Sequence, residues 1–260
     1  MVRISSKDNP LIKHIIKLNK SSKYRRVNGE FIAEGLRVCR DAALSDAKIS
    51  ALIITDSAQD KYAEDTALLS DKADKTYVVS ESVFEHICDT KSPQGVLCII
   101  KTLDNPFLFG KIKSNGKFLA LDNIQDPSNL GTILRTAEAI GIDGIIMSAD
   151  TCDIYSPKVV RGSMGAVFRV PYTVVSSIAE FLSEHKELNS YAAVVDSDAY
   201  SVTEIGFTEP CVAVIGNEGN GLKPETVESC DKKITIPMKG RAESLNASIA
   251  AGIIIWEMVK

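Results

Sequence analysis

Three stretches of the 260-residue sequence hold residue types and spacings beyond what folding alone requires. The first is Leu121-Asp122-Asn123-Ile124-Gln125-Asp126-Pro127-Ser128-Asn129-Leu130-Gly131-Thr132-Ile133-Leu134-Arg135. It is an apolar strand that runs into a polar loop and then a helix whose first turns carry Asn129 and Arg135. A helix amino end exposes free N–H groups and a partial positive charge, which suits phosphate. Arg135 adds a planar fork able to grip phosphate or a ribose oxygen. The same residues also have a purely structural use, Asn129 as a helix cap and Arg135 in an ion pair.

The second stretch is Val214-Ile215-Gly216-Asn217-Glu218-Gly219-Asn220-Gly221-Leu222-Lys223-Pro224. Three glycines and two asparagines in six residues call for left-handed dihedrals or close approach of backbone to a ligand. It is neither of the familiar phosphate loops. Gly221 is followed by Leu222-Lys223-Pro224 rather than Lys-Ser/Thr, and the glycine order is G-x-x-G-x-G instead of G-x-G-x-x-G. Glu218 is a turn residue or a ligand contact. The third stretch, Ile236-Pro237-Met238-Lys239-Gly240-Arg241-Ala242-Glu243-Ser244-Leu245-Asn246-Ala247-Ser248, again joins a strand to a helix. Ser244 is a natural N-cap there, and capping explains Asn246 less easily. The helix that follows is apolar nearly all round, so it is expected in a core or on the surface of a dimer.

These turns need a scaffold, and the hydropathy pattern supplies one. Beyond residue 117 strands are expected over 118–123, 145–148, 168–175, 192–196, 212–216 and 234–238. Helices are expected over 130–140, after Ser156-Pro157, and over 178–188, 224–230 and 244–259. Strands separated by helices imply crossovers and a parallel sheet covered on both faces. Ligands in such sheets bind at the carboxyl ends of the strands, where the turns after Leu121, Ile215 and Ile236 lie. The first hundred residues form an α/β pattern of their own. A helix starts at Asp8-Asn9-Pro10 with the stripe Leu11, Ile12, Ile15, Ile16 and Leu18, and the nearly continuous apolar run from Ile49 to Thr55 is a central strand. Turn chemistry at Asp104-Asn105-Pro106, Gly110 and Ser114-Asn115-Gly116 divides the chain into residues 1–104, a connector 105–116 and residues 117–260.

Composition narrows the function classes. Hydrophobic residues at 45% and charged residues at 25% are ordinary globular usage, which excludes disorder and collagen. No apolar run approaches the roughly 18 residues of a membrane span, and the polar start has no signal-peptide core. The expectation is a soluble intracellular protein. Six scattered cysteines without a Cys-x-x-Cys pair, and three distant histidines, suggest free thiols and no metal. The net charge of −4 hides an asymmetry: residues 1–40 hold ten Lys/Arg against three acids, a local +7 that leaves −11 for the rest. A basic leading segment on an acidic protein suits a polyanion, and equally a solvated helix face.

On these residues the sequence resembles the SpoU (TrmH-like) family of RNA 2′-O-ribose methyltransferases. The three stretches look like that family's motifs 1, 2 and 3, in its order, and the resemblance covers residues 117–260. Arg161-Gly162-Ser163-Met164-Gly165-Ala166-Val167-Phe168-Arg169-Val170-Pro171 matches a further family segment. Phe31-Ile32-Ala33-Glu34-Gly35-Leu36-Arg37 and Ser92-Pro93-Gln94-Gly95-Val96 are similar to the family's small RNA-binding domain.

The resemblance implies a small N-terminal α/β RNA-binding domain, then a parallel-sheet α/β catalytic domain closed by a deep C-terminal trefoil knot (SPOUT-type). The knot would be an exception to the rule that chains do not knot. S-adenosylmethionine, leaving as S-adenosylhomocysteine, would be held by Ile215, Gly216, Asn217, Glu218, Ile236, Met238, Ser244, Leu245 and Asn246, with no metal. Arg135, Asn129, Glu218, Ser244 and Asn246 would form the catalytic set. Lys13, Lys17, Lys20, Lys23, Arg25, Arg26 and Arg37 would contact RNA. The resemblance further implies a cytoplasmic homodimer joined through the catalytic domain, with the site near the interface. The extra domain tilts the substrate towards 23S ribosomal RNA. Transfer RNA as substrate, a non-catalytic RNA-binding protein on the same fold and a nucleotide-dependent small-molecule enzyme are the rival readings.

Overall fold

The computed structural model describes residues 1–103 and 112–260. The expected turn residues Asp104, Asn105, Pro106 and Gly110, with most of the expected connector, lie outside the described residues. The chain gathers into two compact units: Met1–Asp104 with Asp153–Arg169, and Asn105–Cys152 with Val170–Lys260.

The first unit runs β1 (Val2–Ile4), α1 (Pro10–Lys20), α2 (Ser22–Asn28), β2 (Glu30–Glu34), α3 (Leu36–Ala43), β3 (Ile49–Thr55), α4 (Asp56–Lys61), α5 (Ala63–Lys72), β4 (Thr76–Val79), α6 (Glu81–Ile87) and β5 (Val96–Lys101). Its sheet has the order β1-β4-β3-β5-β2. The first three strands are parallel, and β5 is antiparallel to both β3 and β2. The apolar run of β3 is central, as expected. Asn9 caps α1 by accepting from the Leu11 N–H at 2.9 Å, with Pro10 at the first helical position. The α1 stripe then buries Ile12, Ile15 and Leu18 completely, each such side chain worth about 1.5–3 kcal/mol.

The second unit continues with β6 (Lys117–Leu121), α7 (Pro127–Ile140) and β7 (Gly144–Ser148). The chain then leaves it for α8 (Pro157–Gly162) and returns for β8 (Tyr172–Val175), α9 (Ile178–Glu184), β9 (Asn189–Ala193), β10 (Tyr200–Ser201), β11 (Cys211–Ile215), α10 (Pro224–Ser229), β12 (Lys232–Thr235) and α11 (Ala247–Val259). The seven strands are all parallel, in the order β10-β12-β9-β11-β6-β7-β8. Strands β6, β7 and β11 are buried along almost their whole length, as strands covered on both faces must be. The order reverses between β6 and β11, which opens a crevice at their carboxyl ends.

The excursion Asp153–Arg169 packs with the first unit. Arg25 is 4% exposed there and donates from Nε to Asp153 at 2.8 Å and from a terminal nitrogen to the Leu18 carbonyl at 2.5 Å. The Tyr155 ring stacks on Phe31 with centroids 4.4 Å apart. Arg161 pairs with Asp89 at 2.7 Å, while the buried Glu34 carboxylate accepts from the backbone of Asp89 and Thr90.

Several expected boundaries move, for physical reasons. The helix expected over 130–140 starts at Pro127, because Asp126 caps it through the Ser128 N–H. The helix expected over 244–259 starts at Ala247. Its cap is Asn246, which accepts from the Ser248 and Ile249 N–H groups, and Ser244 is not the cap. The strand expected from residue 168 begins at Tyr172, after a 3-10 turn over Ala166–Phe168. The strands expected over 192–196 and 234–238 end at Ala193 and Thr235. Apolar residues past those ends, Val194, Val195, Ile236 and Met238, line a cleft, so hydropathy overshoots the strand. The last helix is covered on one side only, with Ile249 54% and Trp256 62% exposed. None of the six cysteines forms a disulfide, and three of them are buried. Burial pushes the Cys230 thiol up to about 12 and Cys211 to about 11.

Candidate active site

At the carboxyl edge of the seven-stranded sheet, the turns that follow β11 and β12 enclose a cleft of about 410 Å³. Its floor and one wall come from the β11 turn. There is no room beside Gly216 for a side chain, because a Cβ would lie 2.3 Å from the Gly221 carbonyl carbon and 2.4 Å from the Leu222 nitrogen. Asn217 stitches the turn together. Its backbone exchanges hydrogen bonds with Gly221 at 3.0 and 2.9 Å, and its Oδ1 accepts from the N–H groups of Gly219 and Asn220, both at 3.0 Å. Its Nδ2 reaches the Asn123 carbonyl at 2.8 Å. The turn is thereby a rigid backbone cradle, which a glycine-rich sequence alone does not guarantee.

Eight of the nine cofactor candidates line this cleft: Ile215, Gly216, Asn217, Glu218, Ile236, Met238, Ser244 and Leu245. The ninth, Asn246, lines an adjoining polar hollow together with Asn129, Glu218, Gln125 and Asp126. The structure also brings in Ala193, Val194 and Val195 from the end of β9, and Leu222, Ala250 and Ile254. The available signal for the first three was that β9 also ends at the carboxyl edge. For the last two it was the spacing of four residues, which puts them on one face of α11.

The catalytic candidates divide into a connected set and two isolated side chains. Glu218 accepts from the Gln125 and Asp126 N–H groups, each at 3.0 Å, and from Asn129 Nδ2 at 2.9 Å. Asn129 Oδ1 in turn accepts from Asn246 Nδ2 at 2.9 Å. Three side chains from three separate segments, the first turn of α7, the β11 turn and the cap of α11, thus form one chain of hydrogen bonds, with Asn129 6% exposed at its centre. Burial raises the Glu218 pKa, but the bonds from Asn129, Gln125 and Asp126 outweigh it and hold the carboxyl below its ordinary value. Glu218 is therefore an ionised acceptor that fixes the start of α7 rather than a proton donor.

Ser244 lines the cleft, and no hydrogen bond of its hydroxyl is found among the described residues. Arg135 is exposed and lines neither hollow. Six residues after Asn129 on α7, it sits about 120° around the helix from it, and it forms no ion pair among the described residues. The next residue, Thr136, faces Gly252 of α11, where a Cβ would lie 3.6 Å away.

The RNA-contact candidates belong to the first unit. Lys13, Lys17 and Lys20 lie on the exposed side of α1, and Lys23, Arg26 and Arg37 are also exposed. Lys13 pairs with Asp8 at 2.9 Å, and Lys17 sits 5.5 Å from the Tyr24 ring centroid. Arg25 departs from the expectation. Buried and committed to Asp153, Leu18 and Asn19, it holds the unit together and is withdrawn from any surface that RNA could reach. Among the described residues no group of His, Cys, Asp or Glu could hold a metal ion, and no helix is long and apolar enough to cross a membrane.

Known proteins share this architecture along almost the whole chain. The profile of the SpoU rRNA methylase family matches residues 116–256, and that of the MRM3-like substrate binding domain matches residues 9–98. An uncharacterised tRNA/rRNA methyltransferase of Synechocystis is 32% identical over 255 residues, 98% of this chain and 92% of the relative. The 23S rRNA (guanosine(2553)-2′-O)-methyltransferase of Bacillus subtilis is 28% identical over 260 residues, 99% of each. The AdoMet-bound rRNA methyltransferase structure from Sinorhizobium meliloti superposes with a TM-score of 0.87 at 31% identity, covering 98% of this chain and 96% of that one.

Proposed function

The chain belongs to the SpoU rRNA methylase family, and we propose that it transfers the methyl group of S-adenosylmethionine to a ribose 2′-hydroxyl of 23S ribosomal RNA. The observation that carries this reading is the hydrogen-bonded chain Asn246–Asn129–Glu218 at the lip of a glycine-floored cleft. A relative of matching length, the Bacillus subtilis enzyme, is named for that reaction on 23S rRNA.

The residues present suit the donor. The cleft falls within the ~300–1,000 Å³ of small-molecule sites, Gly216 leaves the backbone bare, and Ile215, Leu222, Ile236, Met238 and Leu245 give an apolar lining. When bound, the donor supplies a methyl group on a sulfonium, open to in-line displacement. What the protein must add is placement of a weak oxygen nucleophile. In our reading the backbone of 215–218 and the turn residues Ile236, Met238, Ser244, Leu245 and Asn246 hold the donor, and the polar hollow around Asn129 and Glu218 receives the ribose. A guanidinium is a permanent cation with donors and no acceptor, so Arg135 grips a substrate phosphate rather than accepting a proton.

Three finer points belong to the same proposal. The two halves divide the labour, with residues 1–104 binding RNA and 117–260 carrying the chemistry; the separate profile matches over 9–98 and 116–256 support this. The carboxyl tail is threaded as a deep trefoil knot, a reading that rests on membership of the SpoU family. The chain works as a homodimer through the uncovered face of α11, where Ile249 and Trp256 are exposed. Arg135, which lines no hollow of its own chain, would then meet the site at that interface.

The test is ribose-methylation mapping of ribosomal RNA with and without the gene, alongside purified protein given labelled donor. Loss of one 2′-O-methyl position in 23S rRNA, restored by the wild-type protein, is expected. Arg135→Ala should abolish transfer while donor binding survives. An unchanged methylation map, or calorimetric binding of NAD or ATP in place of the donor, would remove this reading.

A further inference from the structure

A second polar group lies beneath the glycine turn and lines neither hollow. Asp122 follows the last residue of β6. Its backbone N–H donates to the carbonyl of Ile215, the residue just before the turn, at 2.9 Å. Its Oδ2 accepts from Thr226 Oγ1 in the first turn of α10, just after the turn, at 2.7 Å. Lys223, the last residue before α10, places Nζ 4.0 Å from the other Asp122 oxygen and 3.0 Å from Asp150. The Asp122 side chain therefore holds the far end of 216–222, while its main chain closes the β6–β11 ladder at the near end.

That grip is costly unless it is used. Asp122 and Thr226 are each 2% exposed, beside Leu121 at 0% and Ile215 at 3%. A carboxylate stripped of water is tolerated only with donors around it, and an apolar residue would serve packing better. Asn217 and Glu218 hold the middle of the turn, and Asp122 anchors the chain where it leaves the turn. Gly219, Asn220 and Gly221 are exposed, and the bonds within the turn all run through Asn217. With both ends fixed, the backbone groups that face the cleft are in place before a ligand arrives, which lowers the ordering cost of binding.

We propose that Asp122 is a positioning residue for the donor site, its carboxylate holding the far end of the 216–222 turn in its binding shape through Thr226 and Lys223 while the β6–β11 ladder holds the near end. This rests on the reading that the cleft takes S-adenosylmethionine. The clamp acts through the turn and touches no reacting atom.

The test compares full-length wild type with Asp122→Ala, Thr226→Val and Thr226→Ser, measuring the Kd of S-adenosylmethionine and S-adenosylhomocysteine by calorimetry and the ligand-free melting temperature. Thr226→Val is expected to weaken donor binding about tenfold or more by stranding a buried acceptor, and Thr226→Ser to restore it. Amide exchange at Gly219 and Asn220 should quicken in ligand-free Thr226→Val. In the Asp122→Ala background, Thr226→Val should add little, the mark of a shared interaction. A purely structural role would lower the melting temperature and leave Kd alone, and a folded Thr226→Val that binds like wild type overturns the proposal. Should Asp122→Ala fail to fold, Thr226→Val alone decides. Absence of donor binding by the wild type would overturn the reading of the cleft, and the clamp with it.

Discussion

Asn246 donates its side-chain amide to Oδ1 of Asn129 across 2.9 Å, although 117 residues separate the two. The other end of the same side chain caps α11, accepting from the Ser248 N–H at 2.9 Å, the Ser248 hydroxyl at 2.6 Å and the Ile249 N–H at 3.3 Å. One asparagine thus orders a helix through its oxygen and the candidate site through its nitrogen.

Those two jobs are separable. Asp caps a helix about as well as Asn, but Asn246→Asp has no amide to give and turns an oxygen towards the Asn129 carbonyl oxygen. We expect Asn246→Asp to melt within a few degrees of wild type while single-turnover methylation falls about 100-fold, the scale of a misplaced reacting group. Asn246→Ala should lose both functions, with about 1 kcal/mol of stability from the missing cap. Unimpaired turnover in Asn246→Asp would show that the link to Asn129 carries no catalytic role.

Glu218 gives the site a defined acid limit. Burial opposes its charge, yet the donors from Asn129, Gln125 and Asp126 win and hold its pKa below the usual value. The unfolded chain binds that proton more readily, so this contribution is fully present above about pH 4.3. It is lost as pH falls from there through the lowered folded value. Denaturation midpoints measured from pH 6 down to pH 3 should therefore drop more steeply for wild type than for Glu218→Gln. Parallel curves would mean that the carboxylate is not held by these bonds.

Much of this arrangement is legible in the sequence, for identifiable reasons. The alternation from β6 to α11 and the double burial of β11 follow from hydropathy, and the three turns stand out because glycine, asparagine and glutamate cluster there, at strand ends, more densely than a turn needs. Capping was harder to assign. Ser244 and Asn246 are both good caps, and only the path of the 236–246 turn decides between them. The role of Arg25 was hidden as well, because its partner Asp153 lies 128 residues away and a basic cluster looks alike whether its members are exposed or spent. The role of Asp122 is not legible in the sequence, because its partners Lys223 and Thr226 reach it only across the sheet.

The Arg25 guanidinium supports the first unit through a fork no lysine can copy. Nε and a terminal nitrogen reach the Asp153 carboxylate at 2.8 and 2.6 Å, while the other terminal nitrogen bonds the Leu18 carbonyl. Removing one partner of a buried pair costs about 3–5 kcal/mol. The lower end applies here, since the Asp153 side chain keeps 21% exposure. Arg25→Ala should therefore lower unfolding free energy by about 3 kcal/mol, with Arg25→Lys recovering only part of it. The exposed neighbour change Arg26→Ala should stay within about 0.5 kcal/mol. Urea titrations of the three variants check the ranking, and equal effects at Arg25 and Arg26 would contradict the buried assignment.

The glycines of the two cleft turns should respond to alanine in an order set by geometry rather than by sequence spacing. At Gly216 the new Cβ meets only backbone, 2.3 Å from the Gly221 carbon and 2.6 Å from its oxygen, so the turn must open. Gly221 has nothing within 4 Å, but its φ of +67° costs an L-residue about 1–2 kcal/mol. Gly240 has open space and no left-handed dihedral, so it tolerates alanine. Donor affinity should accordingly be lost in Gly216→Ala, fall about tenfold in Gly221→Ala if that strain is released by reshaping the turn, and stay unchanged in Gly240→Ala. Calorimetry on the three proteins gives the order directly. Equal binding by Gly216→Ala and wild type would mean that the turn is looser than its contacts imply, and that the cleft does not depend on bare backbone at Gly216.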